Sequence, residues 1–296
     1  MHLNYRNKTI FDWNSFEENE ISSLISISIM KFMKNNLYDK KIKNVIIRDV
    51  NNYIGIIIQL DDDLDDTIYN IINDFLERSD NKLSYFALQL PVNKIYEKGK
   101  NIKIYKDEFI KFHVNYHDKK LISLLPDSFF QPNIKLLNIY YNKFFEWIGQ
   151  YKFQNMINLG DDGGNICTIL NSLFNNVISL FHCNQSYICA QEMIKDNNIR
   201  NFSLTFSIND CKEFDKDFSN IILFINPGRK GLRSYEIDFI NNSVNIKSII
   251  YMACNYKAFE KDKNQINKFK IIDSIEIDVM PNTKNTQNLI LLDKID

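Results

Sequence analysis

Predicted strands and helices alternate regularly from Met156 to the end of this 296-residue chain. The strands are short runs rich in Ile, Val, Leu and Phe, and segments of helical character separate most of them. The predicted strands lie at 156–159, 177–181, 203–207, 221–225, 249–252, 271–278 and 289–292. Alternation at this spacing predicts an α/β fold built on a mostly parallel, doubly wound sheet.

The first part of the chain has a different pattern. Apolar residues at helical spacing predict a helix at 13–36, and 45–60 is typical of a β-hairpin. Five carboxylates within 61–66 favour the acidic start of a helix at 66–78 over a metal site, because helix N-termini attract negative charge. Residues 83–125 add further short strands.

These patterns predict two domains. A small α+β domain is expected at 1–125. The α/β domain is expected at 126–296, and a strongly amphipathic segment within 126–150 is the predicted linking helix.

Composition excludes several classes of function. Lys and Arg (36) balance Asp and Glu (37), so the sequence predicts no general polyanion-binding surface. The five cysteines lack paired C-x-x-C spacing, which argues against a zinc or iron–sulfur site and favours a reducing compartment. We expect no secretory leader and no membrane span, and therefore a cytoplasmic or nuclear protein. From the cysteine spacing we also expect no bound metal.

The strand predicted at 249–252 runs into Cys254 and Asn255, and a charged helical segment follows. A thiol at the carboxyl end of a strand in an open α/β sheet lies where such folds bind ligands. The alternative is a core cysteine that packs as a small hydrophobic residue.

Five blocks of this sequence resemble the RNA uracil-5-methyltransferases, and they occur in that family's order. In the family the blocks read S-F-x-Q-P-N, a glycine-rich turn, D-P-P-R-x-G-L, S-C-N-P-x-T-x-x-x-D and D-x-F-P-x-T. Here they correspond to 128–133, 157–166, 226–232, 253–262 and 278–283. The resemblance implies a class I methyltransferase fold, S-adenosylmethionine as cofactor and a tRNA-like RNA as partner.

The resemblance also implies a mechanism. Cys254 would be the nucleophile that adds to carbon 6 of uracil, and a glutamate would later remove the proton from carbon 5. This chain has Gln287 at the glutamate position, and an amide does not accept a proton at neutral pH. Tyr256 replaces the proline that follows the Cys-Asn pair.

The expected cofactor site is altered as well. The resemblance assigns Gln131, Gly160, Asn165, Phe181 and Asn226 to it. Phe181 stands where class I methyltransferases place an acidic residue for the ribose, and Asn226 replaces the aspartate associated with the target base. Asp161 and Asp162 replace a small residue and a glycine in the glycine-rich turn.

Three interpretations remain open. The first is a catalytically impaired homologue kept as a binding or scaffold protein, with an RNA or a protein as partner and with S-adenosylmethionine binding weakened or lost. The second is an active enzyme that uses Cys254 and passes the proton to water or to another residue such as Asp278. The third is a methyltransferase fold that binds a different nucleotide-like ligand.

Overall fold

The computed structural model describes residues 3–5, 8–12, 42–50, 53–60, 70, 83–89, 102–104, 109–125, 128, 134–160, 162–278 and 286–295. The chain divides into two compact units, 1–112 with 123–127 and 113–122 with 128–296. The predicted domains 1–125 and 126–296 denote independent folding units, and that stays a prediction. The helices expected at 13–36 and 66–78 lie outside the described residues, apart from Asn70.

The first unit contains a six-stranded sheet. Its strands follow chain order: β1 (Leu3–Tyr5), β2 (Lys8–Asp12), β3 (Ile42–Val50), β4 (Tyr53–Leu60), β5 (Leu83–Gln89) and β6 (Ile102–Ile104). β3 and β4 are antiparallel with Val50 opposite Tyr53, which confirms the hairpin predicted at 45–60. Ile56, Ile57 and Ile58 are all buried, so both faces of β4 are covered there.

A two-stranded hairpin follows, formed by β7 (Ile110–Asn115) and β8 (Lys119–Leu124). The side chain of Asn197 forms hydrogen bonds of 2.8 Å with both backbone groups of Leu121, accepting from its N–H and donating to its carbonyl. The amide side chain thus takes the place of a neighbouring strand and satisfies a backbone pair that would otherwise need water.

The second unit is organised around a seven-stranded sheet of order β11-β10-β9-β12-β13-β15-β14. The strands are β9 (Asn155–Gly160), β10 (Asn176–Leu180), β11 (Phe202–Thr205), β12 (Ile221–Asn226), β13 (Ile246–Ala253), β14 (Phe269–Ile277) and β15 (Gln287–Lys294). The first five in this order are parallel, and β15 is antiparallel to both of its neighbours. This arrangement confirms the mostly parallel, doubly wound sheet and the class I methyltransferase-like architecture.

Six α-helices are described in this unit, with 3₁₀ turns at Asn171–Leu173 and Gly228–Lys230. The helices are α1 (Ile134–Tyr151), α2 (Asn165–Leu170), α3 (Asn184–Asp196), α4 (Ile208–Asp217), α5 (Ser234–Asn242) and α6 (Tyr256–Gln265). Helix α4 is absent from the sequence prediction. Its buried apolar side chains are only Cys211 and Phe214, too few to give a clear helical period.

Both faces of the sheet are covered by helices. Phe214 of α4, Phe239 of α5 and Phe259 of α6 belong to one buried cluster with alternate residues of the central strands. On the other face, Phe144 of α1 meets Phe224 of β12 edge to face, with ring centroids 5.2 Å apart. Since both faces are apolar and covered, the strand ends are where polar side chains can meet a ligand.

Candidate functional site

The predicted site residues lie at one edge of the seven-stranded sheet. Gly160, Phe181, Asn226 and Cys254 end or directly follow the parallel strands β9, β10, β12 and β13. Strand β15 runs in the opposite direction, so its first residue, Gln287, lies at the same edge. The fold thus brings together five of the seven residues predicted for the site, and Asn165 follows Gly160 closely in the chain.

Gly160 lies where β9 and β12 approach each other closely. It pairs with Asn226 and has a φ of 152°. A Cβ at this position would lie 2.5 Å from the carbonyl oxygen of Asn226, well inside contact distance. Only glycine permits this approach. We call the residues around Gly160, Asp162, Asn165 and Phe181 the glycine side, and those around Asn226, Arg229, Cys254 and Gln287 the cysteine side.

Asp162 fills the turn of the glycine side with its own carboxylate. The side chain is 3% exposed, and its two oxygens accept hydrogen bonds from Gly164 N (3.0 Å) and Ile166 N (2.9 Å). These amides belong to the N-cap residue and to the first turn of α2, where backbone N–H groups lack helical partners. Asp162 therefore caps α2 and places a buried negative charge in the glycine-rich turn.

Asn165, the first residue of α2, is 5% exposed. Its Nδ2 donates to the backbone oxygen of Asp162. Its Oδ1 is buried and has no hydrogen-bond partner among the described residues, and the same holds for Oδ1 of Asn158 in β9. A buried acceptor without a donor is costly, so Asn165 Oδ1 fits a ligand that brings an N–H group to this turn.

Aromatic rings occupy the ends of β10 and β11. Phe181 is 1% exposed and meets Tyr187 of α3 edge to face, with ring centroids 5.8 Å apart. Tyr187 stacks on Phe206, which follows β11 and is 54% exposed, at 4.5 Å between centroids. A buried phenyl ring cannot accept hydrogen bonds from two ribose hydroxyls. The residue at the expected ribose position therefore does not fit that part of the cofactor.

His182 follows Phe181, and its side chain lies against helix α5. Its Nε2 lies 3.0 Å from Oε1 of Glu236, a residue of α5 that is 3% exposed. Glu236 also accepts a hydrogen bond from Arg233 N (2.7 Å) at the start of α5. The Glu236 carboxylate thus already interacts with His182 and Arg233, and it does not serve as an acceptor for ribose hydroxyls.

Cys254 is exposed at the end of β13, as predicted for a cysteine at the ligand edge. Partial burial raises the pKa of its thiol, and a backbone hydrogen bond and the positive charge of Arg229 act in the opposite direction. Asn255 Nδ2 donates to the carbonyl oxygen of Arg229 at 3.1 Å, which ties the two loops together. Because the pKa is raised, the thiol is the dominant form near neutral pH.

Gln287 is 5% exposed and is held by the linking helix. The hydroxyl of Tyr140 in α1 donates to Gln287 Oε1 at 2.6 Å. Burial raises the pKa of Tyr140, so this hydroxyl stays a donor. Gln287 is the first residue of β15 and pairs with Ile277 of β14, and its neighbour Asn288 pairs with Ala253, the residue before Cys254. Gln287 and Cys254 therefore each adjoin the last residue pair of β13 and β15.

The remaining predictions have mixed outcomes. Asn226 is partly buried beside Gly160, whereas Gln131 and Asp161 lie outside the described residues. No group of three or more His, Cys, Asp or Glu that could hold a metal ion occurs in the part of the chain that the structure describes. None of the helices described is long and apolar enough to cross a membrane.

Sequence reasoning missed three side chains that support the site. Tyr140 gave no signal, since its helix was predicted only as a packing element. Arg229 and Asp262 lie within the motif blocks but received no role. The sequence alone does not show which groups these two residues contact, and their roles depend on those contacts.

Comparison with known proteins identifies the relationship. Residues 5–295 match the family described as tRNA (uracil-5-)-methyltransferase. A protein of Acanthamoeba polyphaga mimivirus that carries the name RNA methyltransferase is 27% identical over 206 residues, which cover 64% of this chain and 53% of that protein. The tRNA/tmRNA (uracil-C(5))-methyltransferase of Pseudoalteromonas translucida is 24% identical, with coverage of 64% and 55%. The chain thus spans about half the length of these relatives.

A solved structure supports the fold. The tRNA (uracil-54, C5)-methyltransferase of Pyrococcus abyssi, in complex with S-adenosyl-L-homocysteine, superposes with a TM-score of 0.70 at 16% identity. The similarity covers 92% of this chain and 67% of that one. With a family match over nearly its whole length, this chain belongs to the tRNA (uracil-5-)-methyltransferase family.

Proposed function

We propose that this chain is an RNA-binding homologue of the uracil-5-methyltransferases whose methyl transfer is impaired. The observation that carries the proposal is the hydrogen bond from Tyr140 to Gln287 Oε1. This hydrogen bond fixes a neutral amide next to the strand end that leads into Cys254, and it supports the assignment of Gln287 to the position of the family's proton acceptor. Loss of a general base lowers a rate by about 10²–10⁴-fold.

The reaction can be followed atom by atom from these residues. The thiolate of Cys254 would form a bond to carbon 6 of the uracil ring, and the electron pair of the 5,6 double bond would move to carbon 5 and the carbonyl at carbon 4. Carbon 5 would then form a bond to a methyl group, while the methyl–sulfur bond of the donor would break and leave its electron pair on sulfur. Elimination of Cys254 needs the proton on carbon 5 to leave, and Gln287 cannot accept it.

S-adenosylmethionine would supply an electrophilic methyl group, and the residues present fit it only in part. The glycine turn and the unpartnered Asn165 Oδ1 suit an amino-acid moiety. Phe181 does not suit ribose hydroxyls, and the carboxylate of Asp162 already holds two amides of the turn. A lost hydrogen bond to a charged group costs about 2–3 kcal/mol, so we expect a Kd above about 100 μM.

Cofactor binding tests this part of the proposal directly. Calorimetric titration of the protein with S-adenosylmethionine should give weak heats or none. Phe181→Glu supplies a carboxylate at the expected ribose position, and Val244→Glu adds the same charge at an exposed position before β13 as the control. Low-micromolar binding by the unmodified protein would contradict weak binding.

Trapping of a covalent adduct tests the missing base. The full chain is incubated with a T-loop-like RNA hairpin and S-adenosylmethionine, and heat-stable protein–RNA complexes and 5-methyluridine are both measured. We expect RNA binding without adduct or product. Gln287→Glu supplies the base, Gln265→Glu adds the same charge at an exposed position of α6, and Cys254→Ala removes the nucleophile.

The outcomes separate the remaining interpretations. A Cys254-dependent adduct that Gln287→Glu resolves to product would show a competent nucleophile and cofactor site with the base alone missing. Multiple turnovers by the unmodified protein would support the second candidate, an active enzyme. That candidate is favoured by the exposed Cys254 thiol beside the Arg229 charge. A role as a scaffold for a protein partner, in cytoplasm or nucleus, belongs to the first interpretation.

A further inference from the structure

Asp262 is a buried carboxylate on α6 that the reaction itself does not use. It is 2% exposed and lies eight residues after Cys254. Its Oδ2 accepts two hydrogen bonds, from Leu232 N at 2.7 Å and from the hydroxyl of Tyr251 at 2.6 Å. Burial and the bond to Asp262 raise the pKa of Tyr251, so that hydroxyl remains a donor. One oxygen therefore connects α6, β13 and the loop after β12.

The loop is shaped around this carboxylate. Gly231 has a φ of 80°, a backbone conformation that favours glycine. A Cβ at Gly231 would lie 2.6 Å from Asp262 Oδ2 and 2.9 Å from Oδ1, so a larger residue would displace the carboxylate. Leu232 packs against the buried cluster beside it. The glycine and the carboxylate thus fix the position of residues 228–232.

The same loop carries Arg229 and is hydrogen-bonded to the residue that follows the cysteine. Arg229 lies in the 3₁₀ turn Gly228–Lys230, two residues before the glycine that contacts Asp262. Its carbonyl oxygen accepts a hydrogen bond from Asn255, the neighbour of Cys254. Its positive charge favours the thiolate form of Cys254. A displacement of the loop would therefore move a charge away from the sulfur atom.

We infer that Asp262 is a positioning residue that sets the reactivity of Cys254 by holding in place the loop 228–232, which carries Arg229 and is hydrogen-bonded to Asn255. The inference rests on the proposed role of Cys254 as nucleophile, but the reactivity of the thiol is a property of the protein alone. It can be measured without RNA or cofactor. Its outcome is therefore independent of the adduct experiment.

The direction of the effect distinguishes this role from two others. Removal of a negative charge near a thiol favours the thiolate, so a direct effect of Asp262 would make Cys254 more reactive when the carboxylate is lost. A loss of folding would also increase reactivity, at Cys254 and at the buried Cys167, Cys189 and Cys211 alike. Positioning through Arg229 predicts the opposite, a slower reaction at Cys254 alone.

The experiment measures alkylation by iodoacetamide at each cysteine, resolved by peptide mass spectrometry over a pH series. Asp262→Ala should slow alkylation of Cys254 near neutral pH by about two- to fivefold, the range expected for one exposed charge interaction. The pH profile should shift to higher pH by the corresponding amount. Asp262→Asn keeps an oxygen that can accept both hydrogen bonds and should restore most of the rate.

A double-mutant cycle completes the test. Arg229→Ala should slow Cys254 as much as Asp262→Ala does, and the double variant should be no slower than either single variant. If the two single substitutions reduce the alkylation rate of Cys254 independently, so that their effects multiply in the double variant, the inference is wrong. Unchanged or faster alkylation of Cys254 in Asp262→Ala would also overturn it. Retained protection of the three buried cysteines shows that the variants are folded.

Discussion

The two sides of the site differ in what occupies them. On the glycine side two side chains are buried: the Asp162 carboxylate accepts hydrogen bonds from amides of the turn, and Phe181 stands at the position that the resemblance assigns to the ribose. On the cysteine side, Cys254 is exposed, and the loop that carries Arg229 is tied to its neighbour Asn255 by a hydrogen bond. Gln287 there is buried, but it is held in place by Tyr140.

Under the proposed function, the two sides would need different changes to support methyl transfer. On the cysteine side a single substitution, Gln287→Glu, would supply a proton acceptor. On the glycine side Asp162 and Phe181 would compete with a cofactor for hydrogen bonds and for space. That side would need changes at more than one position, and each would have to preserve the fold that those side chains now support.

Gly160→Ala should have the largest effect, because it disrupts the boundary between the two sides. The new Cβ would collide with the Asn226 carbonyl, and backbone strain and overpacking each cost about 1–3 kcal/mol. We expect a loss of about 3 kcal/mol in the free energy of unfolding, measured by urea titration. Gly149→Ala in α1 is the control, with nothing within 4 Å of its Cβ and an expected gain of about 0.5–1 kcal/mol.

Asp162→Ala tests whether the glycine side supports itself. The substitution leaves two buried amides of α2 without their acceptor, and a lost cap of this kind costs about 2 kcal/mol. Urea unfolding should show this loss, and Asp162→Asn, which keeps one acceptor oxygen, should lose less. Unchanged stability in Asp162→Ala would mean that the carboxylate is dispensable and that the comparison of the two sides is wrong.

Tyr140→Phe tests the corresponding support on the cysteine side. It removes the donor to Gln287 Oε1 and leaves a buried amide oxygen to find another partner, at a cost of about 1–1.5 kcal/mol. Tyr256→Phe alters an exposed tyrosine of α6 and should stay within about 0.5 kcal/mol of the parent protein. Equal effects of the two substitutions would show that Gln287 does not depend on α1.

The smallest effect concerns the second half of α1, where Asp273 of β14 accepts hydrogen bonds from Lys143 Nζ (2.8 Å) and Trp147 Nε1 (3.0 Å). These bonds lower the pKa of Asp273 below its ordinary value of 3.8. Asp273 therefore stabilises the fold above that pH, and the contribution is lost as the pH falls through the lowered pKa. Thermal unfolding at decreasing pH should show this acid-sensitive part in the parent protein and a smaller one in Asp273→Asn.

The sequence predicted the sheet better than it predicted the site. The run of buried apolar residues in β13 predicted a strand that ends just before Cys254, because a central strand that is covered on both faces is apolar at nearly every position. Helix α4 was not predicted, because few of its side chains are buried and they give no clear helical period. The capping role of Asp162 could not be predicted, because it depends on which amides the turn presents. The Tyr140–Gln287 contact joins residues 147 positions apart, and no local pattern carries such a pairing.

The position of β15 has a consequence for how the protein is made. This strand follows all other described strands in the chain, yet it lies between β13 and β14. During synthesis β14 emerges first and has no neighbour to pair with until β15 leaves the ribosome and inserts. The pairing of β13 and of β14 in this order is therefore complete only once residues 287–294 have been made, so the last-made strand closes the sheet beside the strand that leads into Cys254.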